Sequence, residues 1–205
     1  MNQPSSPSGA ATLDRPVPDQ PVPDQPVPDQ PVPDQPVLGQ AVPGPARVSA
    51  PPRPAAHAVL FTTLGTLGGL LLLAAITTVT GLPMFVLPFV ASLAIISVAP
   101  AVPFSQPRSV LLGHLSAALP AFAVVAALGP SVWSAVLAAG LATAPMMLLR
   151  APHPPANATA ALIGLTGPAP LFLADALLPA VLVVIAAGLL MGRALPGRSY
   201  PAYWR

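Results

Sequence analysis

HAVLFTTLGTLGGLLLLAAITTV, from His57 to Val79, holds no Asp, Glu, Lys or Arg and is long enough as a helix to cross a hydrocarbon layer of about 30 Å. The rest of the chain follows suit. Of 205 residues 54% are hydrophobic and 7% charged, against roughly 25% charged in an ordinary soluble domain. The charge consists of eight Arg and six Asp, with no Lys and no Glu, and every Asp except Asp175 lies in the first 34 positions. From Ala55 onward the chain has almost nothing to face water with, so lipid is the expected solvent.

Outward from the first span, further apolar runs cover Leu82 to Val102, Ser109 to Leu128, Val132 to Leu149 and Leu171 to Met191. The breaks between them, GLP, PFSQPR and GPS, are turn chemistry. The run Ala156 to Thr166, closed by GPAP, is too short to cross alone as a regular helix. The expected fold is therefore all-α, a polytopic transmembrane helix bundle of about five full spans plus a short broken or re-entrant helix. Gly65 and Gly69 stand at GxxxG spacing, and Gly113, Ala117 and Ala121 form a small-residue seam for a neighbouring helix. Arg47 and Arg53 precede the first span, Arg108 and Arg150 fall in the second and fourth turns, and Arg193, Arg198 and Arg205 follow the last span. Positive charge marks the cytoplasmic side, and all eight arginines share that side only if the short segment crosses. Six passes, one of them broken, with the N-terminus inside the cell membrane is the reading this favours. Pro83 and Pro107 recur 47 residues later as Pro130 and Pro154, a pattern open to an internal duplication.

Residues 1–56 read as a disordered tail. PVPDQ occurs four times in tandem from Pro16 to Gln35, followed by PVLGQ. Such a segment cannot build a core; its prolines favour a polyproline II rod of about 3.1 Å per residue, reaching on the order of 60 Å. A spacer is the plainer role, a docking ligand for a proline-recognising module the sharper one. Residues 57–192 form the bundle and 193–205 a short basic C-terminal tail.

Three segments carry the chemistry: Gln106-Pro107-Arg108, Gly113-His114, and the run from Arg150 through His153-Pro154-Pro155 to Asn157 and Thr159. Together with the terminal Tyr200-Pro201-Ala202-Tyr203-Trp204 they resemble the HPP family of integral membrane proteins, named for the tripeptide at 153–155. The likeness runs from about the second span to the C-terminus and leaves the repeat tail uncovered. It implies a small helical membrane protein, usually counted with four spans, and points toward nitrite, which some relatives in photosynthetic organisms are implicated in transporting. Asn157 stands where the family commonly has Gly.

Physical reasoning reaches a similar place. Two prolines suit the first turn of a helix, so Pro154 and Pro155 are expected to start one whose next amides, from Ala156 to Ala158, lack internal partners and attract an anion. Arg108 and Arg150 are expected either to converge on that terminus or to anchor spans at lipid headgroups. His153 is placed to bond an anion, pass a proton or tie the loop to a carbonyl. His114, an ionisable group within a span, is a functional candidate by default and otherwise an interhelical bond. Asn157 and Thr159 serve as donors lining the socket or as caps. Asp175 reads as an interfacial residue, and Asn157-Ala158-Thr159 falls on the wrong side for glycosylation.

The net charge of +2 lacks the clustered basic face that nucleic acid requires. With no Cys there is no disulfide framework, and no nucleophile–base pair, carboxylate pair or metal-ligand spacing appears, so neither an enzyme nor a cofactor is expected. The expected function is a permease or channel for a small inorganic anion, with nitrite the leading candidate; the alternative is a membrane adaptor whose tail recruits a soluble partner. Six short helices leave little room for a private pathway, so a homo-oligomer fits.

Overall fold

A computed structural model describes residues 52–194 and 198–204. The PVPDQ repeats, with Arg47 and Arg205, lie outside the described residues. The described chain forms six α-helices and no strand: α1 (Ala56–Thr80), α2 (Leu87–Val98), α3 (Pro107–Leu128), α4 (Val132–Leu148), α5 (Pro155–Thr166) and α6 (Leu178–Ala194). A 3₁₀ turn, Pro103–Ser105, precedes α3, and a π turn, Leu173–Leu177, leads into α6.

Proline starts these helices and glycine stops them. Pro88, Pro107 and Pro155 sit in the first turns of α2, α3 and α5, where their missing N–H costs nothing. Gly81 and Gly167 end α1 and α5 at φ 73° and 56°, left-handed values that a side chain resists. The π turn precedes Pro179, which has no N–H for the carbonyl four residues back; Leu178 N bonds instead to Leu173 O, five residues back.

Helix lengths differ from those of the expected spans. Three helices, Ala56–Thr80, Pro107–Leu128 and the continuous stretch Leu173–Ala194, are long and apolar enough to cross a membrane, where five were expected. The second span is the main casualty: it is helical only over 12 residues, Leu87–Val98. Pro83 biases Leu82 away from helix and Pro88 marks the first turn of α2, so residues 82–86 run in non-helical form. Thr77 Oγ1 satisfies that backbone, accepting from the amides of Met84 (3.2 Å) and Phe85 (2.8 Å). The short helix after the double proline is found where the sequence placed it.

Successive helices alternate in direction. Contacts tie the start of α1, the ends of α2 and α4, the start of α3 and the C-terminal segment to one end of the bundle. At the other end the amide of Ser131 donates to Gly164 O at 3.0 Å. The tightest packing joins α3, α4 and α5; α2 lies against α5 and α6, and α1 rests on α2 and α6. Close approach needs small residues. A methyl at Gly164 would stand 2.6 Å from Ala135 Cα, one at Gly65 the same distance from Met191 Sδ, and one at Gly69 the same distance from a Leu93 methyl. The core runs through Leu73, Phe89, Leu93, Ile96, Ile163 and Leu177. Val59, Leu60, Phe61, Leu71, Trp133, Val136, Leu141 and Leu148 remain exposed on the outer faces, a surface that only lipid or another apolar partner accommodates.

Candidate functional site

Four fully buried polar side chains meet where α2, α3, α5 and the α4–α5 loop converge: Ser92, His114, Thr159 and His153. Burial of so many polar atoms away from water is costly unless each finds a partner, and here they partner one another. Thr159 Oγ1 is 2.8 Å from His114 Nδ1, His114 Nε2 is 2.9 Å from Ser92 Oγ, and Ser92 Oγ is 2.8 Å from His153 Nε2. His153 Nδ1 is 2.7 Å from the carbonyl oxygen of Phe104. Ser92 Oγ also lies 2.8 Å from Pro88 O, one turn back in α2. The imidazoles stand edge to face, 4.9 Å between centroids, and the Phe89 ring covers His114 at 5.4 Å.

One atom orients the whole chain. Phe104 O can only accept, so His153 Nδ1 carries a proton; a neutral His153 then has a bare Nε2, and the nearby donor is the Ser92 hydroxyl. With its single proton committed, Ser92 accepts from His114 Nε2–H, which leaves His114 Nδ1 to accept from the Thr159 hydroxyl. In this neutral arrangement each of the four side chains has a partner for every ring nitrogen and hydroxyl.

Local sequence explains how the parts arrive. Ser92 sits one turn from Pro88 and faces inward with Phe89 and Leu93. His114 lies in the second turn of α3. Beside it Gly113 leaves the space that the loop fills: a methyl there would stand 2.6 Å from His153 Cβ and 3.4 Å from Ala151 O. The Gly113 position thus admits the His153 loop, while Ala117 and Ala121, both fully buried, continue the seam.

The predicted socket at the start of α5 is overturned. The amides of Ala156 and Asn157 close a turn on the carbonyls of His153 (2.8 Å) and Pro154 (3.1 Å), so they are already engaged. Arg108 does not turn toward that terminus. Its Nη1 and Nη2 donate to the carbonyls of Arg150 (2.9 Å) and Leu149 (2.8 Å), closing the C-terminus of α4, where the helix dipole favours a cation. Arg150 is exposed and takes φ 51°. Its amide donates to Met147 O (3.0 Å) and that of Ala151 to Met146 O (2.9 Å), a Schellman ending with arginine in the usual glycine position. Asn157 points away from the histidines; its Nδ2 is 3.4 Å from Thr143 Oγ1, and its Oδ1 is buried without a partner among the described residues.

Gln106 is a strut. Its Nε2 donates to Pro100 O (2.8 Å) and Val102 O (3.0 Å), and its Oε1 accepts from the amides of Ala202 (2.8 Å) and Tyr203 (3.4 Å). Tyr200 donates to Ser105 O at 2.9 Å, and burial raises its phenol above the ordinary range, keeping the donor protonated. Arg198 caps α2 as Arg108 caps α4, donating to Ile96 O and Ser97 O. Pro107 and Pro155 are buried first-turn prolines, and Pro154 is the exposed residue before α5.

Of the sequence candidates the structure therefore joins His114, His153 and Thr159 and separates Arg108 and Asn157 from them. Sequence reading missed Ser92 and the Phe104 carbonyl. Ser92 carried a signal, being one of the few hydroxyls within the apolar second span; a backbone carbonyl carries none. Two cavities flank the site, about 650 Å³ beside His57, Thr62 and Arg198 and about 620 Å³ between the start of α2 and α5. Neither is lined by His114 or His153, and both of these imidazoles are fully buried.

Neither the curated proteins nor the solved structures contain a significant match to this chain. The family model described as "HPP, transmembrane region" matches residues 51–201, which takes in all six helices and both ends of the hydrogen-bonded chain. The protein belongs to the HPP transmembrane family.

Proposed function

We propose that the protein is a transport protein of the cell membrane that moves a small inorganic anion, with nitrite the first solute to test. The observation that carries this reading is the unbroken chain from Thr159 through His114, Ser92 and His153 to Phe104 O. An anchor has no use for it. Ionisable side chains inside a membrane bundle are expensive and mark solute or proton pathways, and this chain is assembled from five separate segments: α2, the 3₁₀ turn, α3, the α4–α5 loop and α5. The short helices α2 and α5, which both contribute to this chain, agree with it: broken or abbreviated helices expose backbone and polar groups at depth. In this reading the chain crosses six times, and the end bearing Arg108, Arg150 and Arg198 faces the cytoplasm together with the N-terminal tail.

Purified protein in lipid vesicles is expected to take up nitrite faster than protein-free vesicles do. His153→Ala, checked for a monodisperse elution profile, is expected to reduce uptake to the protein-free level. Deleting residues 1–50 is expected to leave uptake unchanged; loss of a co-purifying soluble partner, with no uptake by the intact chain, is the result that selects the adaptor instead.

A further inference from the structure

No fixed cation is among the partners of the His114–Ser92–His153 chain in the described residues. Arg108 and Arg198 sit at one end of the bundle, where they donate to the carbonyls that end α4 and α2, with Arg198 Nε buried without a partner among the described residues, and Arg150 and Arg193 lie at the ends of their elements, exposed to the surroundings. A bare anion at low dielectric is prohibitively unstable, so compensating charge must enter with it. We propose that the His114–Ser92–His153 chain carries one exchangeable proton, and that this proton moves together with the anion, making transport an electroneutral proton–anion symport. The proposal rests on the transport reading above.

The geometry provides for the extra proton without leaving an atom unsatisfied. In the neutral state Ser92 donates to His153 Nε2. When a proton arrives on that nitrogen, His153 becomes a donor on both sides: Nδ1–H to Phe104 O as before, and Nε2–H to Ser92 Oγ. The Ser92 hydroxyl then rotates to its second acceptor, Pro88 O at 2.8 Å. The His114 Nε2–H bond to Ser92 Oγ and the Thr159 bond to His114 Nδ1 persist, since a hydroxyl oxygen accepts two bonds. One proton has been gained, none lost, and the charge now sits on His153. Release reverses the rotation. Without the carbonyl at Pro88, protonation would strand the Ser92 hydroxyl in hydrocarbon at a cost of several-fold in occupancy.

Few other charges bear on the pair. From α3 come Arg108 and His114 itself, from the α4–α5 loop Arg150, from the elements around α6 Asp175 and Arg193, from the C-terminal segment Arg198 and Tyr200, which bond the end of α2 and the 3₁₀ turn, and from α1 His57; α2, α5 and the 3₁₀ turn contribute no titratable group of their own. Asp175 makes no ion pair with either imidazole, since no carboxylate is among their partners. The added proton therefore lacks a resident counter-ion, and the anion supplies it.

The test uses full-length protein in vesicles with the membrane potential clamped at zero and equal nitrite on both sides. An interior one pH unit more alkaline is expected to drive net nitrite uptake toward an accumulation of about tenfold, with internal acidification in step, at rates well above those of protein-free vesicles. Ser92→Ala, which cuts the chain, and His153→Gln, which keeps a hydrogen-bonding amide but cannot titrate, are expected to lose the gradient-driven part. Uptake by the native chain that ignores the gradient and moves no protons overturns the symport while leaving the transport reading intact. Gradient-driven uptake retained by both variants also overturns it. Rates equal to protein-free vesicles under every gradient overturn the transport reading itself, and the symport with it.

Discussion

Ser92 Oγ touches both imidazoles and has a spare acceptor behind it, which makes it the residue on which the chain's polarity turns. The assignment has a direct check. Nitrogen NMR of histidine-labelled protein at neutral pH is expected to show His153 as the Nδ1–H tautomer and His114 as the Nε2–H tautomer, because Phe104 O forces the first and Ser92 transmits it to the second. The opposite tautomer at His153 is incompatible with the 2.7 Å contact to a carbonyl. Gly113 matters at the same scale for a steric reason. A methyl 2.6 Å from His153 Cβ meets the root of a side chain, which cannot swing aside, so Gly113→Ala is expected to cost about 1–3 kcal/mol and to lower the melting temperature by several degrees.

Between helices, two guanidinium caps do similar work. Arg108 closes α4 and Arg198 closes α2, each meeting carbonyls that a helix end leaves unpaired. The strain lies at Arg150, held at φ 51° where a β-carbon costs roughly 1–2 kcal/mol. Arg150→Gly is therefore expected to stabilise the folded protein by up to about 1 kcal/mol, whereas Arg108→Gln is expected to destabilise it by about 1–3 kcal/mol. Thermal unfolding in one detergent reads both signs. A destabilising Arg150→Gly result refutes the idea that this arginine is there in spite of its backbone. The two substitutions also separate structure from transport: Arg108→Gln is expected to reduce the yield of folded protein more than the uptake per folded molecule.

Across the whole molecule, the C-terminal segment acts as a strap. Tyr200 packs against Gly188 and Gly192, whose absent β-carbons would otherwise stand 2.8 and 2.9 Å from its side chain, and Gln106 ties Ala202 and Tyr203 to the α2–α3 turn. That turn presents Phe104 O to His153, so the strap supports the site indirectly. Gln106→Ala removes donors from two carbonyls and the acceptor of two amides. It is expected to cost about 2–4 kcal/mol and to make the terminal residues susceptible to carboxypeptidase.

Much was legible in residues 52–205 before any fold was known. The absence of Lys and Glu and the unbroken apolar run from His57 to Val79 fix the solvent as lipid, because no arrangement of such side chains satisfies water; backbone that must be satisfied in lipid then becomes helix. Proline and glycine placed most helix ends, since their effects are local. Tertiary structure alone decided the rest. It shortened the second span around Pro83 and Pro88, sent Arg108 to carbonyls 41 and 42 residues away, and brought Ser92 between two histidines from α3 and the α4–α5 loop. A guanidinium finds whichever unpaired carbonyls packing sets before it, and a hydroxyl finds whichever nitrogens arrive, and neither choice is written in the residues' own neighbourhoods.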